Sequence, residues 1–463
     1  MKQTFAHHAM ALAAIAALVA ATEPALAAGF QLNETSASGL GTAYAGGAAA
    51  AEDAATLWSN AAGLSRLSSR QAVGVLHLIR PSIKFRNDGS TPAAQQPLGG
   101  DGGDAGGLNV VPNLYLAWPI DSRWAVGVGV NAPWGLVTDY GDGWAGRFQG
   151  DKSDIQTLNV NPALSWKPAP GVALGLGLNA QLMKATFTND VNYSGALLSA
   201  AGAAGIAPGS ATFNAIAAAT PGLASQAVIK GDDTAWGWNA GVLWDLAPQH
   251  RLGLSYRSAM RFKVSGDARF SNPTVAVAGP LGPTVAALAA GVNAQALTDT
   301  GVTADVKLPP IANLSYAGSV GAWDLMADLQ WTGWSTIQAL TFVRTNGSVL
   351  QSTPEHFKDS FKLALGFAHR PGGAWSWRGG LAYDQTPVRD AFRTPRLPDN
   401  DRVWLTAGAQ FQPARDWRFD LGAAYIWVRK GSIDADGGSA AGRLRGHYDG
   451  STMILSAQAL WAF

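Results

Sequence analysis

Val172-Ala173-Leu174-Gly175-Leu176-Gly177-Leu178-Asn179-Ala180-Gln181-Leu182 is the stretch that decides the fold. Its even positions are apolar and mostly large, its odd positions small or polar, which is the period of a β-strand whose two faces meet different solvents. The stretch 417–427 repeats the pattern, with Trp417, Phe419, Leu421, Ala423, Tyr425 and Trp427 against Arg418, Asp420, Gly422 and Ala424. So do 124–131, 158–166, 252–262, 361–369 and 403–411. Working outward, alternation predicts about fourteen strands: 69–86, 108–119, 122–132, 154–167, 171–187, 233–247, 250–266, 303–318, 322–343, 357–370, 374–385, 401–412, 416–430 and 447–463.

A soluble sandwich also alternates, so the connections must separate the two. Short turns (Ile120-Asp121, Pro168 to Gly171, Pro248-Gln249, Ser319 to Gly321, Pro371 to Gly373, Pro413 to Arg415) take turns with long ones at 87–107, 133–153, 188–232, 267–302, 344–356, 386–400 and 431–446. Short periplasmic turns alternating with long extracellular loops mark an outer-membrane barrel. Tryptophan agrees: Trp118, Trp124, Trp166, Trp244, Trp323, Trp375, Trp377, Trp417 and Trp461 fall near the short turns or the C-terminus. Trp134, Trp144, Trp236, Trp238, Trp331, Trp334, Trp404 and Trp427 fall toward the long loops, as two aromatic girdles require. The chain ends on a strand at Phe463, which closes the cylinder and offers a C-terminal aromatic to the barrel-assembly machinery.

Composition excludes the rivals. Charged residues are 14% of 463, against about 25% in soluble domains. Past the N-terminus no run approaches the ~18 apolar residues of a spanning helix. The net charge of +1 without a basic run leaves no footprint for nucleic acid. With Cys 0 there are no disulfides, thiolate metal sites or Cys nucleophiles. Met1 to Ala27 reads as a signal peptide, with Lys2, an apolar stretch from Ala9 to Ala21 and Ala25-Leu26-Ala27 as the cleavage site.

The stretch 28–68 precedes the first strand at 69 and is small and polar around the anchors Phe30, Leu32, Leu40, Tyr44, Leu57, Trp58 and Leu64. A lumen of about fourteen strands needs filling, and the economical expectation is a plug inside the bore; a free periplasmic tail needs fewer anchors. Two long loops are apolar: 195–229 carries Leu197, Leu198, Ile206 and Phe213, and 275–297 carries Leu281. They read as two helices packed as a lid, as a groove for a hydrophobic ligand, or as both in one structure. Alternation points Arg257, Arg261, Lys307, Lys358, Lys362, Arg378 and Arg418 inward, with Asp245, Asp324, Asp328, Asp384 and Asp420, as a paired lumen network.

Gly29-Phe30-Gln31-Leu32-Asn33-Glu34, Ser36 to Gly41, Ala54-Ala55-Thr56, Arg123 to Pro133, Asp359 to Lys362, Arg378-Gly379-Gly380, Tyr383-Asp384 and Pro398 to Leu405 together resemble the long-chain fatty acid transporter (FadL) family, which includes aromatic-hydrocarbon transporters. The resemblance covers essentially the whole mature chain. It implies a fourteen-stranded barrel plugged by an N-terminal hatch, capture of substrate in an apolar groove between two extracellular loops, transfer to a lumenal pocket, and lateral exit beside a kinked third strand. Asn33, Glu34, Asn60, Ala61 and Ala62 belong to that hatch; Ala61 stands where the family commonly has proline. Gly127, Gly129, Asn131 and Pro133 fall in the third strand, where glycine weakens a ladder and proline cannot donate to it, so a bend near 131–135 is expected. A carboxylate needs a free cation: Lys184, at a position the family associates with its pocket but outward by alternation, and Lys307 are the candidates.

No nucleophile stands with a base in reach: G-x-S-x-G is absent, and His77, His250, His356, His369 and His447 are scattered. The sequence therefore predicts an all-β transmembrane barrel of the bacterial outer membrane, monomeric, without cofactor or metal. It would move hydrophobic small molecules passively past the polar lipopolysaccharide layer; the alternative is a gated hydrophilic diffusion porin.

Overall fold

The computed structural model describes residues 29–463; the predicted leader lies outside them. Nineteen ladder segments form one antiparallel sheet and join into fourteen wall strands. They are β1 (Gln71–Asn87), β2 (Asn109–Pro119), β3 (Trp124–Asn131, continued by Gly135–Asp139), β4 (Lys152–Ala169), β5 (Val172–Asn192), β6 (Ala224–Ala247) and β7 (His250–Arg257 and Met260–Ser271). There follow β8 (Thr300–Leu308 and Ile311–Val320), β9 (Trp323–Thr332 and Ala339–Arg344), β10 (Val349–Pro354 and Ser360–His369), β11 (Trp375–Asp384), β12 (Arg402–Phe411), β13 (Trp417–Asp436) and β14 (Arg443–Ala462). Each strand pairs with the next, and β1 pairs with β14 from Gln71↔Ala462 to Asn87↔Gly446, so the sheet has no open edge.

The outward rows of β5 and β13, Leu174, Leu176, Leu178, Phe419, Leu421, Tyr425 and Trp427, are exposed. Such a surface suits hydrocarbon rather than water. Stacked pairs such as Trp124 with Trp166 and Trp417 with Trp461 mark the short-turn rim.

Three departures from strict alternation have local causes. In β7 both Arg257 and Met260 face the bore, so the irregular pair Ser258-Ala259 inverts the parity beyond it. Arg261 consequently points outward, against expectation, and pairs with Asp305 at 3.2 Å. In β8, Pro309-Pro310 does the same between Leu308 and Ile311, which turns Lys307 outward as well. Lys358 is also exposed, since it precedes the regular part of β10. The stretches 344–356 and 431–446 are strands and tight turns rather than long loops, because β9, β10, β13 and β14 continue above the membrane band.

Residues 29–70 lie across the bore. They include two single-turn helices, α1 (Ala37–Leu40) and α2 (Thr56–Ser59), and a 3₁₀ turn Ala61–Arg66. Having little regular structure, this segment exposes backbone groups that must find partners, and wall side chains supply them. Ser165 donates to Ala62 O, Thr406 to Gly41 O, Tyr115 to Thr35 O, Asn113 to Glu34 O, and Arg251 to Ala49 O and Ala50 O. The small inward residues of the wall are where this backbone docks: a Cβ on Gly175 would stand 2.1 Å from Ala62 N, and one on Gly253 2.0 Å from Ala48 O. At the short-turn end, Glu52 pairs with Arg378 at 2.7 Å, Arg418 with Asp53, and Asp420 with both arginines. Removing one member of such a buried set leaves uncompensated charge, a loss of about 3–5 kcal/mol.

Candidate functional site: an apolar pocket beside a break in the wall

The third strand is interrupted between Asn131 and Gly135. Below the interruption β3 pairs with both neighbours: Gly127 with Ala117 and Ala163, Gly129 with Tyr115 and Asn161. The two glycines therefore sit in an intact ladder, and their missing side chains leave room for Leu57, which a Cβ would meet at 2.7 and 3.1 Å. Above it, Gly135–Asp139 pairs only with β4, while β2 residues 109–113 pair only with β1. The opening between them is filled by the N-terminal segment. Leu32 N donates to Pro133 O at 2.8 Å and Gly135 N to Phe30 O at 2.9 Å, with Gln31 bridging Trp134 as in an antiparallel sheet. Higher up, Ala105 of the β1–β2 loop links Ile83 to Asp139. Pro133, which has no N–H, spends only its carbonyl here.

Behind this patch lies an apolar pocket. Phe30 and Leu136 form its side toward the break; Ile155, Met183, Phe187, Ile229, Val264, Val302, Val306, Leu340, Phe342, Phe357 and Leu397 form the rest. Phe30 is packed edge-on against Trp334, with centroids 5.0 Å apart, and tilted against Trp134 at 5.8 Å. Met183 and Phe187 occupy the inward parity of β5 just above Gln181, where the small polar row ends.

Two buried charged residues reach the lining, Glu355 and Arg396; Lys230 borders it too, but is exposed on the outer face. Arg396, in the loop before β12, donates to Lys152 O at 3.1 Å, Thr188 O at 3.3 Å and Asn189 Oδ1 at 3.0 Å, all neutral acceptors. Burial brings its guanidinium down to about 10, still charged at neutral pH. Glu355, in the break between the two parts of β10 above the membrane band, is 7% exposed, and burial pushes its carboxyl up to about 8. At pH 7 the pocket thus holds a largely neutral Glu355 and a guanidinium that has no ion pair among the described residues, Glu355 and Asp151 acting on it only from beyond salt-bridge distance. Further down the same strands lies a floor of amides. Asn159 donates to Asn131 at 3.1 Å and to Asn179 at 3.2 Å, Asn179 donates to Asn239 at 2.9 Å, and Arg257 donates to Asn179.

A second apolar depression lies outside, between the long loops. It is lined by Leu198 and Phe213 with Phe148, Phe270, Leu297 and Leu350. The loops fold into α3 (Tyr193–Ala203), α4 (Ala211–Ala219) and α5 (Gly282–Gln295). Leu197 is fully buried where α3 meets α5, and Ile206 packs under α4. Leu281 caps α5 and does not line the depression. The helices that pack on one another as a lid also border the apolar depression.

Of the other residues singled out in sequence, Leu32 and Asn33 border a polar cavity with Trp58 and Arg257 rather than the apolar pocket. Glu34 is buried, and its carbonyl accepts from Asn113. Asn60 caps the 3₁₀ turn, accepting from Ala62 N at 3.1 Å while its amide donates to Ala48 O and Val242 O. Ala61 holds the first position of that turn, where an N–H has no intrahelical acceptor and proline is accommodated, and Ala62 is buried against the wall. Lys184 and Lys307 are exposed on the outer surface and do not reach the pocket. The sequence missed Arg396 and Glu355; the available signal was an arginine held in Pro395-Arg396-Leu397-Pro398, a rigid loop turned toward the bore.

Comparison with known proteins places this geometry. A family model described as outer membrane protein transport protein (OMPP1/FadL/TodX) matches residues 18–463. A long-chain fatty acid transport protein of Escherichia coli O6:H1 is 32% identical over 437 residues, covering 93% of each chain. A 47 kDa outer membrane protein of Pasteurella multocida is 31% identical over 434 residues, 92% of this chain and 93% of its own. Among solved structures, a Pseudomonas aeruginosa FadL homologue superimposes with a TM-score of 0.83 at 25% identity, covering 94% of this chain and 100% of that one. The Pseudomonas putida toluene transporter TodX shares the fold, at 0.65 and 17%, with 94% and 100% covered. The chain therefore belongs to the OMPP1/FadL/TodX family of outer-membrane transport proteins.

Proposed function

We propose that this protein is a non-enzymatic, monomeric importer of long-chain carboxylic acids, working by passive diffusion. Substrate is captured on the apolar depression between α3, α4 and the β7–β8 loop and passes to the pocket with its carboxylate toward Arg396. It leaves sideways when the segment Phe30 to Leu32 withdraws from the break in β3. The observation that carries the reading is that one short segment both walls the pocket and fills the missing stretch of sheet, so moving it opens the pocket to lipid. An acid is favoured over a neutral hydrocarbon because the only hydrogen-bond partners of the Arg396 guanidinium among the described residues are neutral. The amide floor and the docked hatch oppose a straight path for an apolar molecule, since amides buried against hydrocarbon lose hydrogen bonds. The exposed C-terminal Phe463 is the element offered to the assembly machinery.

A disulfide lock tests the exit route. Thr332 Oγ1 donates to Gln31 Oε1 at 3.1 Å, and the chain has Cys 0, so Gln31→Cys with Thr332→Cys introduces the molecule's only thiols. Oxidation should stop fatty acid uptake and reduction restore it. Undiminished uptake by the fully oxidised pair would rule out withdrawal of this segment.

A further inference from the structure

The lipid-facing surface carries its own charge pattern, which transport through the bore does not use. On β5 to β8 the outward charges alternate in sign across the ladder: Lys184 stands opposite Asp232, Lys230 opposite Asp267 and Lys263 opposite Asp305, and Arg261 pairs with Asp305. On β13 and β14 the uppermost charges also balance, Asp434 opposite Arg445 and Asp436 opposite Arg443, but the row beneath them on β1, β13 and β14 does not. Arg86 lies 3.9 Å and Lys430 3.4 Å from the same carboxylate, Asp449, and Lys84 stands opposite it in register. Lys84 also reaches Asp104 at 3.8 Å. Arg80, opposite Met453, has no ion pair among the described residues. Two carboxylates thus face four cations, and Lys430 and Arg86 remain 70% and 55% exposed in their side chains.

The height of this cluster is set by the sheet. Below it the outward residues are Leu76 and Leu78 on β1, Leu455 and Met453 on β14, and Tyr425 and Trp427 on β13, all exposed. From Trp417 to Trp427 the strand runs about 33 Å, which a tilt of roughly 40° reduces to about 25 Å, the height of the apolar band of an outer-membrane barrel. Lys84, Arg86 and Lys430 therefore stand at the headgroup level of the leaflet on the long-loop side, and Arg80, in the row of Met453 and Tyr425, reaches up to it along its own stem. That leaflet's lipid is phosphorylated, and a phosphate offers several acceptor oxygens to converging Lys and Arg donors.

We propose that Arg80, Lys84, Arg86 and Lys430 form a binding site for a phosphate of lipopolysaccharide on the outer wall. Asp449 holds the side chains together without neutralising them, and the apolar row beneath seats the acyl chains.

The full-length protein, reconstituted with lipid A carrying two, one or no phosphates, tests this by native mass spectrometry. The wild type should retain phosphorylated lipid A, and Lys84→Gln/Arg86→Gln/Lys430→Gln should lose roughly fivefold in affinity for each charge removed. Lys184→Gln/Lys263→Gln, from the balanced ladder, should leave the affinity nearly unchanged, since each of these cations faces its own carboxylate. Heat-modifiable migration checks that each barrel is folded, and Arg80→Gln alone gives a milder second reading. Binding of dephosphorylated lipid A as tight as that of the phosphorylated form, an equal loss in the control, or wild-type affinity in the triple variant would overturn the site. Displacement of the lipid by millimolar inorganic phosphate would overturn its assignment to a lipid.

Discussion

Replacing Arg396 by Gln should turn an acid-selective pocket into one that no longer distinguishes acids from alcohols. The guanidinium donates to Lys152 O, Thr188 O and Asn189, none of which cancels its charge. A ligand carboxylate about 4 Å away gains up to about 4 kcal/mol at the effective dielectric near 20 that suits such sites. Part of this is consumed in stripping water from the carboxylate, and truncation of one partner in buried charge pairs typically loses 2–5 kcal/mol. Taking about 2–3 kcal/mol gives a loss of roughly 30- to 150-fold in Kd. The assay is equilibrium binding of a radiolabelled fatty acid and the fatty alcohol of equal chain length to purified full-length protein. Arg396→Gln should weaken the acid by that factor and leave the alcohol within a few fold, while Arg396→Lys, which keeps the charge, should hold an intermediate value. The guanidinium also ties the β11–β12 loop to β4 and β5, and loosening that tie would weaken both ligands together. Equal losses for acid and alcohol would refute the electrostatic reasoning.

Glu355 makes the same selectivity depend on pH. Its carboxyl, raised to about 8, is neutral at pH 7; above that it ionises and competes for Arg396, so acid affinity should fall between about pH 7 and 9. Because the folded value lies above the ordinary 4.5, the contribution to stability is full below 4.5 and is lost as pH rises through about 8. Glu355→Gln should flatten both profiles, and a wild-type slope in that variant would exclude Glu355 as the group responsible. Gly175→Val should unseat the hatch, since even a Cβ there would stand 2.1 Å from Ala62 N, whereas Gly74→Val meets nothing within 4 Å. Liposomes holding the first variant should swell in sugar solution while those with wild type or Gly74→Val stay tight. Rapid swelling with the wild type would instead favour a hydrophilic porin.

The wall was legible because lipid and lumen impose a period of two that a stretch such as Val172 to Leu182 displays directly. The failures came where the chain breaks that period. Ser258-Ala259 and Pro309-Pro310 each invert the parity beyond them, so Arg261 and Lys307 face the side opposite to the one alternation predicts, and nothing in a binary pattern announces such an inversion. The pocket was less legible still: Met183, Val264, Val302 and Phe342 come from strands far apart in sequence and meet only once the cylinder closes. Arg396 arrives from a loop, where position follows from tertiary contacts rather than periodicity. The inward glycines could be read as a small face, but their partner, the hatch backbone, could not.

The seat of Phe30 moors the front of the described chain to the wall. Gly29 N donates to Asp399 at 2.9 Å, and Phe30 lies buried between two indoles, well inside the bore. A purification handle is therefore best placed far from that mooring, on an outer hairpin such as Asn346-Gly347, which is exposed.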